Sequence, residues 1–221
     1  MHLPYQLYGH KRSGTNVIDA YLKDNFNLGK MSQKINPSQF DRDSILWKHC
    51  RIDLVNNNGK LLINTIEDLD NIRGDEKHSN KYIIVYKNIF TWLPSICRWA
   101  SSMKWEKNEK LDFVDDYFNY MYKWYTISKD NSDRILFINY EEFLKNGRNK
   151  DSDFVKNIEE FTNFKITKEL VIRDKVDCSR KFDDERHIYY DRKLYMKKYD
   201  KNEINKIKSH KYFKIIEENF F

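Results

Sequence analysis

Glycine and proline are scarce in this 221-residue chain, six and three respectively, so there is little material for flexible linkers between domains. Cysteine is scarce too. Cys50, Cys97 and Cys178 are odd in number and far apart, which gives no disulfide framework, and none belongs to a CxxC pair or a Cys/His cluster of zinc spacing. Reduced thiols, a reducing compartment and no metal requirement are the expectations. No stretch approaches the roughly 18 apolar residues of a membrane span. The opening segment MHLPYQLYGH lacks the charged region and apolar run of a secretory signal. A soluble, cytoplasmic protein without stable membrane insertion is expected. A large excess of one charge is also missing: 40 Lys and Arg stand against 34 Asp and Glu, a net +6, with no basic tail or stripe. That disfavours nucleic acid as a partner and leaves a small polyanion such as a nucleotide.

What the chain does have is core material. Forty per cent of it is hydrophobic and 15% aromatic, enough for a sheet covered by helices in one domain over residues 1–221. Residues 4–9 (PYQLYG) read as a first strand. Val17, Ile18, Tyr21, Leu22, Phe26 and Leu28 recur at helical spacing. Polar residues 29–43 read as a loop and 44–50 (SILWKHC) as a second strand. Asn56-Asn57-Asn58-Gly59 marks a turn between 52–55 and 60–63, a small hairpin. Residues 82–86 (YIIVY) and 135–139 (ILFIN) are short, β-branched and apolar, as buried strands are. Helices are expected over 91–104 and through Phe113, Tyr117, Met121, Trp124 and Ser128, with further helical periodicity over 154–161 and 189–207. This order predicts an α/β fold: a three-layer, mostly parallel central sheet flanked by helices, P-loop-like in architecture. Residues 147–221 are expected to be a mainly helical remainder, and the motifs described next imply that 1–146 is a nucleotide-binding core.

The segment Gly9-His10-Lys11-Arg12-Ser13-Gly14-Thr15-Asn16 falls between the first strand and first helix, where α/β proteins bind anions. Gly14 lets an anion come close to the backbone. The N–H groups of the turn and of the first helical turn point at it with the helix dipole behind them. Lys11 and Arg12 add charge, and Ser13 and Thr15 add hydroxyl donors. The spacing Gly9 to Gly14 mimics the ATP-binding pattern GxxxxGK[ST], but Thr15 occupies the lysine slot. The ATP loop uses that lysine on the β- and γ-phosphates and the next hydroxyl on Mg²⁺. An ATP-driven phosphotransferase is therefore the second reading rather than the first.

Arg12-Ser13-Gly14-Thr15 after a first strand resembles the loop of the sulfotransferases that use 3′-phosphoadenosine 5′-phosphosulfate (PAPS). The resemblance implies that Lys11, Arg12, Ser13, Gly14, Thr15 and Asn16 hold the 5′-phosphosulfate. Many members place a Trp two residues after the Thr to stack adenine; Val17 stands there in this chain. A second block is Lys87-Asn88-Ile89 after YIIVY, with Ser95 eight residues beyond Lys87. The family's pattern there is Arg-Asn/Asp-Pro and a Ser at the same separation, and those two side chains hold the 3′-phosphate. Lys87 keeps the charge without bidentate geometry, and Ile89 replaces the Pro. A third block, Tyr140-Glu141-Glu142-Phe143-Leu144, resembles the family's Tyr-Glu-Asp-Leu, which implies a Tyr140 contact with adenine and a bracing Glu141. The late Arg-Lys-Gly motif has only Arg180-Lys181-Phe182 as its nearest fragment. The resemblance spans residues 5 to about 146.

Sulfuryl transfer needs a base at the acceptor and cations at the donor. The resemblance implies His49 as base, with Lys48 and Arg12 beside the sulfuryl group. An imidazole of pKa about 6.5 suits proton removal near neutrality. Lys48 and His49 are adjacent, so both reach one site only where the strand has ended or bulges. His10 suits packing or anion contact better than acceptor activation, and His187 is the other residue weighed for an acceptor cleft. The product would be adenosine 3′,5′-bisphosphate, the acceptor a hydroxyl or amine, a glycan or lipid among the possibilities. A non-catalytic polyanion-binding protein is the third reading.

Overall fold

A computed structural model of the chain describes residues 3–26, 28–30, 48–53, 63–73, 80–173 and 192–221. Four strands, β1 (Leu3–Gly9), β2 (Leu28–Lys30), β3 (Lys81–Tyr86) and β4 (Ile135–Asn139), form one open sheet in the order β2-β1-β3-β4. Every pairing in it is parallel, with Gly9 opposite Val85 and Val85 opposite Ile138. The fold is α/β, with helices on both faces.

Period-two alternation decides what each face buries. Tyr8, Tyr82, Ile84, Tyr86 and Ile135 face one core. There they meet α3 (Ile89–Ser102), α4 (Val114–Ser128) and the C-terminal α8 (Lys201–Lys208) and α9 (Phe213–Phe220). Tyr5, Leu7, Ile83, Val85 and Ile138 face the other, against α1 (Thr15–Asn25), α5 (Tyr140–Asn146) and α6 (Asp153–Thr162). Strands covered on both sides read as unbroken apolar runs, which is why YIIVY was legible as a strand.

Proline inside α3 is accommodated by a distant tyrosine. Pro94 has no N–H to give the Phe90 carbonyl one turn back. The Tyr199 hydroxyl donates to that carbonyl instead, at 2.9 Å. Asn88 starts the same helix, its side chain accepting from the Phe90 N–H at 3.0 Å.

The amino edge of the sheet is closed by a buried ionic cluster. Asp70, on α2 (Ile66–Arg73), accepts two hydrogen bonds from the Arg134 guanidinium (2.9 and 2.7 Å). It also accepts one from the Tyr82 hydroxyl (2.6 Å) and one from the Asn80 amide (3.0 Å). Burial alone would raise its pKa, but these donors and the guanidinium charge hold Asp70 below the usual carboxylate value. At the carboxyl edge, β1 has β2 on one side and β3 on the other. Connections leave in opposite directions there, which is where open parallel sheets bind ligands.

The structure departs from the sequence reading in definite places. The second strand expected over 44–50 is no strand over the described residues 48–50, Lys48 and His49 forming a turn, and 44–47 lie outside the described residues. Ile52 and Asp53 are also in a turn, and the rest of the expected hairpin lies outside the description. Instead, Leu28–Lys30, where the helical spacing was expected to end at Leu28 and a loop to begin at residue 29, is the edge strand, and α2 is an element the sequence reading lacks. The helical stretch over 189–207 divides into α7 (Arg192–Met196) and α8, because Asp200 caps α8 in a reciprocal pair with Glu203; residues 189–191 are outside the description. No helix among the described residues is long and apolar enough to cross a membrane.

Candidate functional site

The loop from β1 to α1 is built on two glycines and one strained arginine. A Cβ on Gly9 would sit 2.5 Å from the Val85 carbonyl oxygen and 2.7 Å from Ser13 Oγ, so only glycine lets the loop fold back onto β3. Gly14 caps α1 with φ 93, and a Cβ there would overlap the Tyr140 ring. The side of Gly14 that a Cβ would occupy is thus filled by the Tyr140 ring. Arg12 lies at φ 69, a left-handed conformation that costs a residue with a Cβ about 1 kcal/mol. Its side chain is exposed. The turn closes with the Ser13 N–H donating to the His10 carbonyl at 3.1 Å.

Two features of this loop suit an anion. Helix α1 has no side-chain cap and no acidic residue in its first turn, so its N–H groups and dipole meet no negative group of the helix itself. Ser13 Oγ is fully buried and has no hydrogen-bond partner among the described residues. An orphaned hydroxyl beneath a helix N-terminus is a donor awaiting an acceptor.

Lys48 and His49 both reach the loop because the backbone turns there. The Lys48 carbonyl accepts from the Gly9 N–H (2.9 Å), and His49 Nδ1 lies 2.7 Å from the Gly9 carbonyl. Since a carbonyl only accepts, Nδ1 carries the proton and Nε2 the lone pair. The Lys48 amine donates to Asn16 Oδ1 on the first turn of α1. Burial lowers the His49 pKa to about 4, and the charges of Lys48 and Lys11 press in the same direction against the Gly9 bond. His49 is therefore neutral at physiological pH.

His10 has a different role. It is buried among Trp92, Tyr117 and Tyr120, with ring centroids 4.7, 5.6 and 4.1 Å away. Burial and the nearby Arg51 charge push its pKa well below the ordinary value. Lys11 is held at both ends. Its carbonyl accepts from Trp92 Nε1 at 2.8 Å, and its amine lies 4.5 Å from the Trp105 ring centroid and 5.5 Å from that of Trp99. The Lys11 amine thus lies against an aromatic corner.

The second block lies one strand away. The Lys87 amine, in a residue only 4% exposed, is 4.4 Å from the centroid of the same Tyr140 ring that packs against Gly14. Glu141 accepts from the Asn88 N–H (3.3 and 3.2 Å) and from the Thr91 hydroxyl. Its burial raises the carboxyl pKa, while Thr91 and the Lys87 charge oppose the rise. One ring therefore joins the first loop to Lys87. Ser95 is buried within α3, and Thr15 is buried at the start of α1. Arg180, Lys181 and His187 lie outside the described residues.

Sequence reasoning missed the Trp92 bond to Lys11 and the Lys11 contact with two tryptophans. No local pattern encodes either, because they join residues 81 or more positions apart. The buried Thr91–Glu141 bond had a signal of sorts, an acidic residue directly after Tyr140 at the end of a buried strand. Comparisons of the chain with protein-family models, curated proteins and solved structures find no match. Among the described residues, no group of His, Cys, Asp and Glu is arranged to hold a metal ion.

Proposed function

We propose that the β1–α1 loop binds the 5′-phosphosulfate of PAPS in a P-loop-like manner and that the chain transfers its sulfuryl group to an acceptor hydroxyl. The observation that carries this reading is the convergence of an uncapped helix N-terminus, the orphaned Ser13 Oγ, Lys48 on Asn16, and a neutral His49 on one loop. The acceptor oxygen gives its proton to His49 Nε2 and forms a new S–O bond. The S–O bond to the 5′-phosphate breaks, and adenosine 3′,5′-bisphosphate leaves. Arg12, Lys48 and the α1 dipole oppose the charge that grows on the departing phosphate.

The two ends of the nucleotide fit unequally. The phosphosulfate end meets donors and cations. At the other end, Lys87 is buried against Tyr140 and beside Glu141, so its grip on a 3′-phosphate requires the Tyr140 ring to turn aside. His49 at a pKa of about 4 is a weak base in the free protein; bound donor anions, by offsetting Lys48 and Lys11, raise it toward neutrality.

One observation favours a second reading. Lys48 brings an amine to the first turn of α1, supplying from another segment the charge that Thr15 withholds from an ATP-type loop. With Lys87 sequestered, an ATP-dependent phosphotransferase would use the same loop. Transfer of label from ³⁵S-PAPS to a panel of hydroxyl acceptors separates the two. Sulfated product in the wild type, falling about 100-fold or more in His49→Ala with bisphosphate binding retained, supports sulfuryl transfer. Magnesium-dependent ATP turnover with no ³⁵S product supports the second reading.

A further inference from the structure

Three pieces of the carboxyl edge meet the first two turns of α4. The Tyr117 hydroxyl donates to the Lys87 carbonyl at 2.6 Å. The Tyr117 backbone holds the buried His10 ring, which also packs on the Tyr117 and Tyr120 rings. Asp116, in the helix's first turn, meets Arg51, its Oδ1 3.0 Å from one terminal nitrogen of the guanidinium. The rest of that guanidinium turns on its own segment: Nε and the other terminal nitrogen donate to the two Asp53 oxygens, at 2.7 and 2.5 Å. One fork thus closes the 51–53 turn and fastens it to α4, which the point charge of a lysine could not do in both directions. Cys50 and Ile52, alternating with Arg51 and Asp53, are buried in the core that α3 and α4 cover.

Lys48 and His49 directly precede this fastened turn. The bonds described above tie them to Gly9 and Asn16 of the donor loop. A ligand entering the loop competes for part of that tie, since the Lys48 amine and the first turn of α1 are among the groups an anion would use. The bridge to α4 lies outside that competition. Resting on the sulfuryl-transfer reading for its role in turnover, we infer that Arg51 is a positioning residue. Through Asp53 and Asp116 it keeps Lys48 and His49 at the donor loop while the loop exchanges its own bonds for ligand. Its place fits: the Arg51 charge reaches His10, adding to burial in lowering that imidazole's pKa, while burial and the charges of Lys48 and Lys11 act on His49.

Ring NMR of the full chain with ¹⁵N-labelled histidines tests this alongside ³⁵S transfer. In the wild type His49 titrates at about 4 with its proton on Nδ1. Asp116→Ala cuts the bridge but keeps the Arg51–Asp53 pair, and it raises that midpoint by about one pH unit or more, a gain of about tenfold in proton affinity. The direction is decisive, because loss of a carboxylate would by charge alone lower an imidazole's pKa; a rise reports release from burial. Turnover falls about tenfold although His49 is then the stronger base, while bisphosphate affinity stays within about threefold. Arg51→Lys, which keeps the charge without the fork, behaves in the same way and decides the matter if Asp116→Ala misfolds. Lys107→Met removes the exposed cation 3.7 Å from the other Asp116 oxygen and leaves titration and turnover as they were. A His49 midpoint unchanged or lowered in Asp116→Ala, turnover unchanged in that variant, or turnover lost equally in Lys107→Met overturns the inference. If the wild type transfers no sulfate yet the midpoint rises in Asp116→Ala, the sulfuryl-transfer reading falls and Arg51 remains the residue that positions His49.

Discussion

The two edges of the sheet are built to opposite standards. At the amino edge, Asp70 is buried but every demand it makes is met by Arg134, Tyr82 and Asn80. At the carboxyl edge, Ser13 Oγ and His10 Nε2 are buried without partners among the described residues, Arg12 and Gly14 sit at positive φ, Lys48 reaches Asn16, and a neutral histidine reaches Gly9. A satisfied cluster can only hold the fold. An unsatisfied one has hydrogen-bonding capacity left for a ligand, at a cost in stability.

The contrast can be broken most forcefully at the amino edge. Asp70→Ala leaves the Arg134 guanidinium buried without its partner, and about 3–5 kcal/mol of unfolding free energy is lost. Denaturant titration checks this, and a loss below 1 kcal/mol would show that the cluster is not the anchor described.

Acid should act through the carboxyl edge instead. Burial lowers the pKa of His10 well below 6.5 and that of His49 to about 4, so the unfolded chain takes up protons that the folded chain refuses. Their contribution is complete above about pH 6.5 and declines as pH falls toward 4, by up to about 1.4 kcal/mol per pH unit for each group. His210, lowered by burial, adds in the same direction. Unfolding curves between pH 4 and 7 for the wild type and His49→Gln measure the share: the slope flattens in the variant, and an unchanged slope contradicts the assignment.

The smallest change sharpens the comparison most. Ser13→Ala removes a buried hydroxyl that has no partner among the described residues, so stability stays within about 0.5 kcal/mol or rises. A loss beyond 1 kcal/mol by thermal or chemical unfolding would mean that the hydroxyl is satisfied in the folded protein.

How much of this could be read from the sequence follows from the range of the forces involved. YIIVY declared itself because a strand buried on both faces must be apolar throughout, ILFIN because its first four residues are apolar, and α4 because its buried face repeats every three or four residues. The three residues of β2 carry too little pattern to stand out. SILWKHC looked like a strand, yet Lys48 and His49 lie in a turn against Gly9 that only tertiary contacts could fix. The loop itself was legible from Gly9, Gly14 and their spacing. The use of its parts was not: Gly14 makes room for Tyr140, Lys11 faces two tryptophans, and Lys87 is buried under the same tyrosine. Each depends on a neighbour from a distant segment, which no local spacing records.

Titration calorimetry with adenosine 3′,5′-bisphosphate, set beside ATP with Mg²⁺, is the most direct test of the claim that the Gly9–Asn16 loop and Lys87 grip one doubly phosphorylated nucleotide. The account predicts saturable bisphosphate binding, tighter than that of ATP and weakened about tenfold by Arg12→Ala and by Lys87→Ala. Tight ATP binding without any for the bisphosphate, or bisphosphate binding that neither substitution alters, would contradict it.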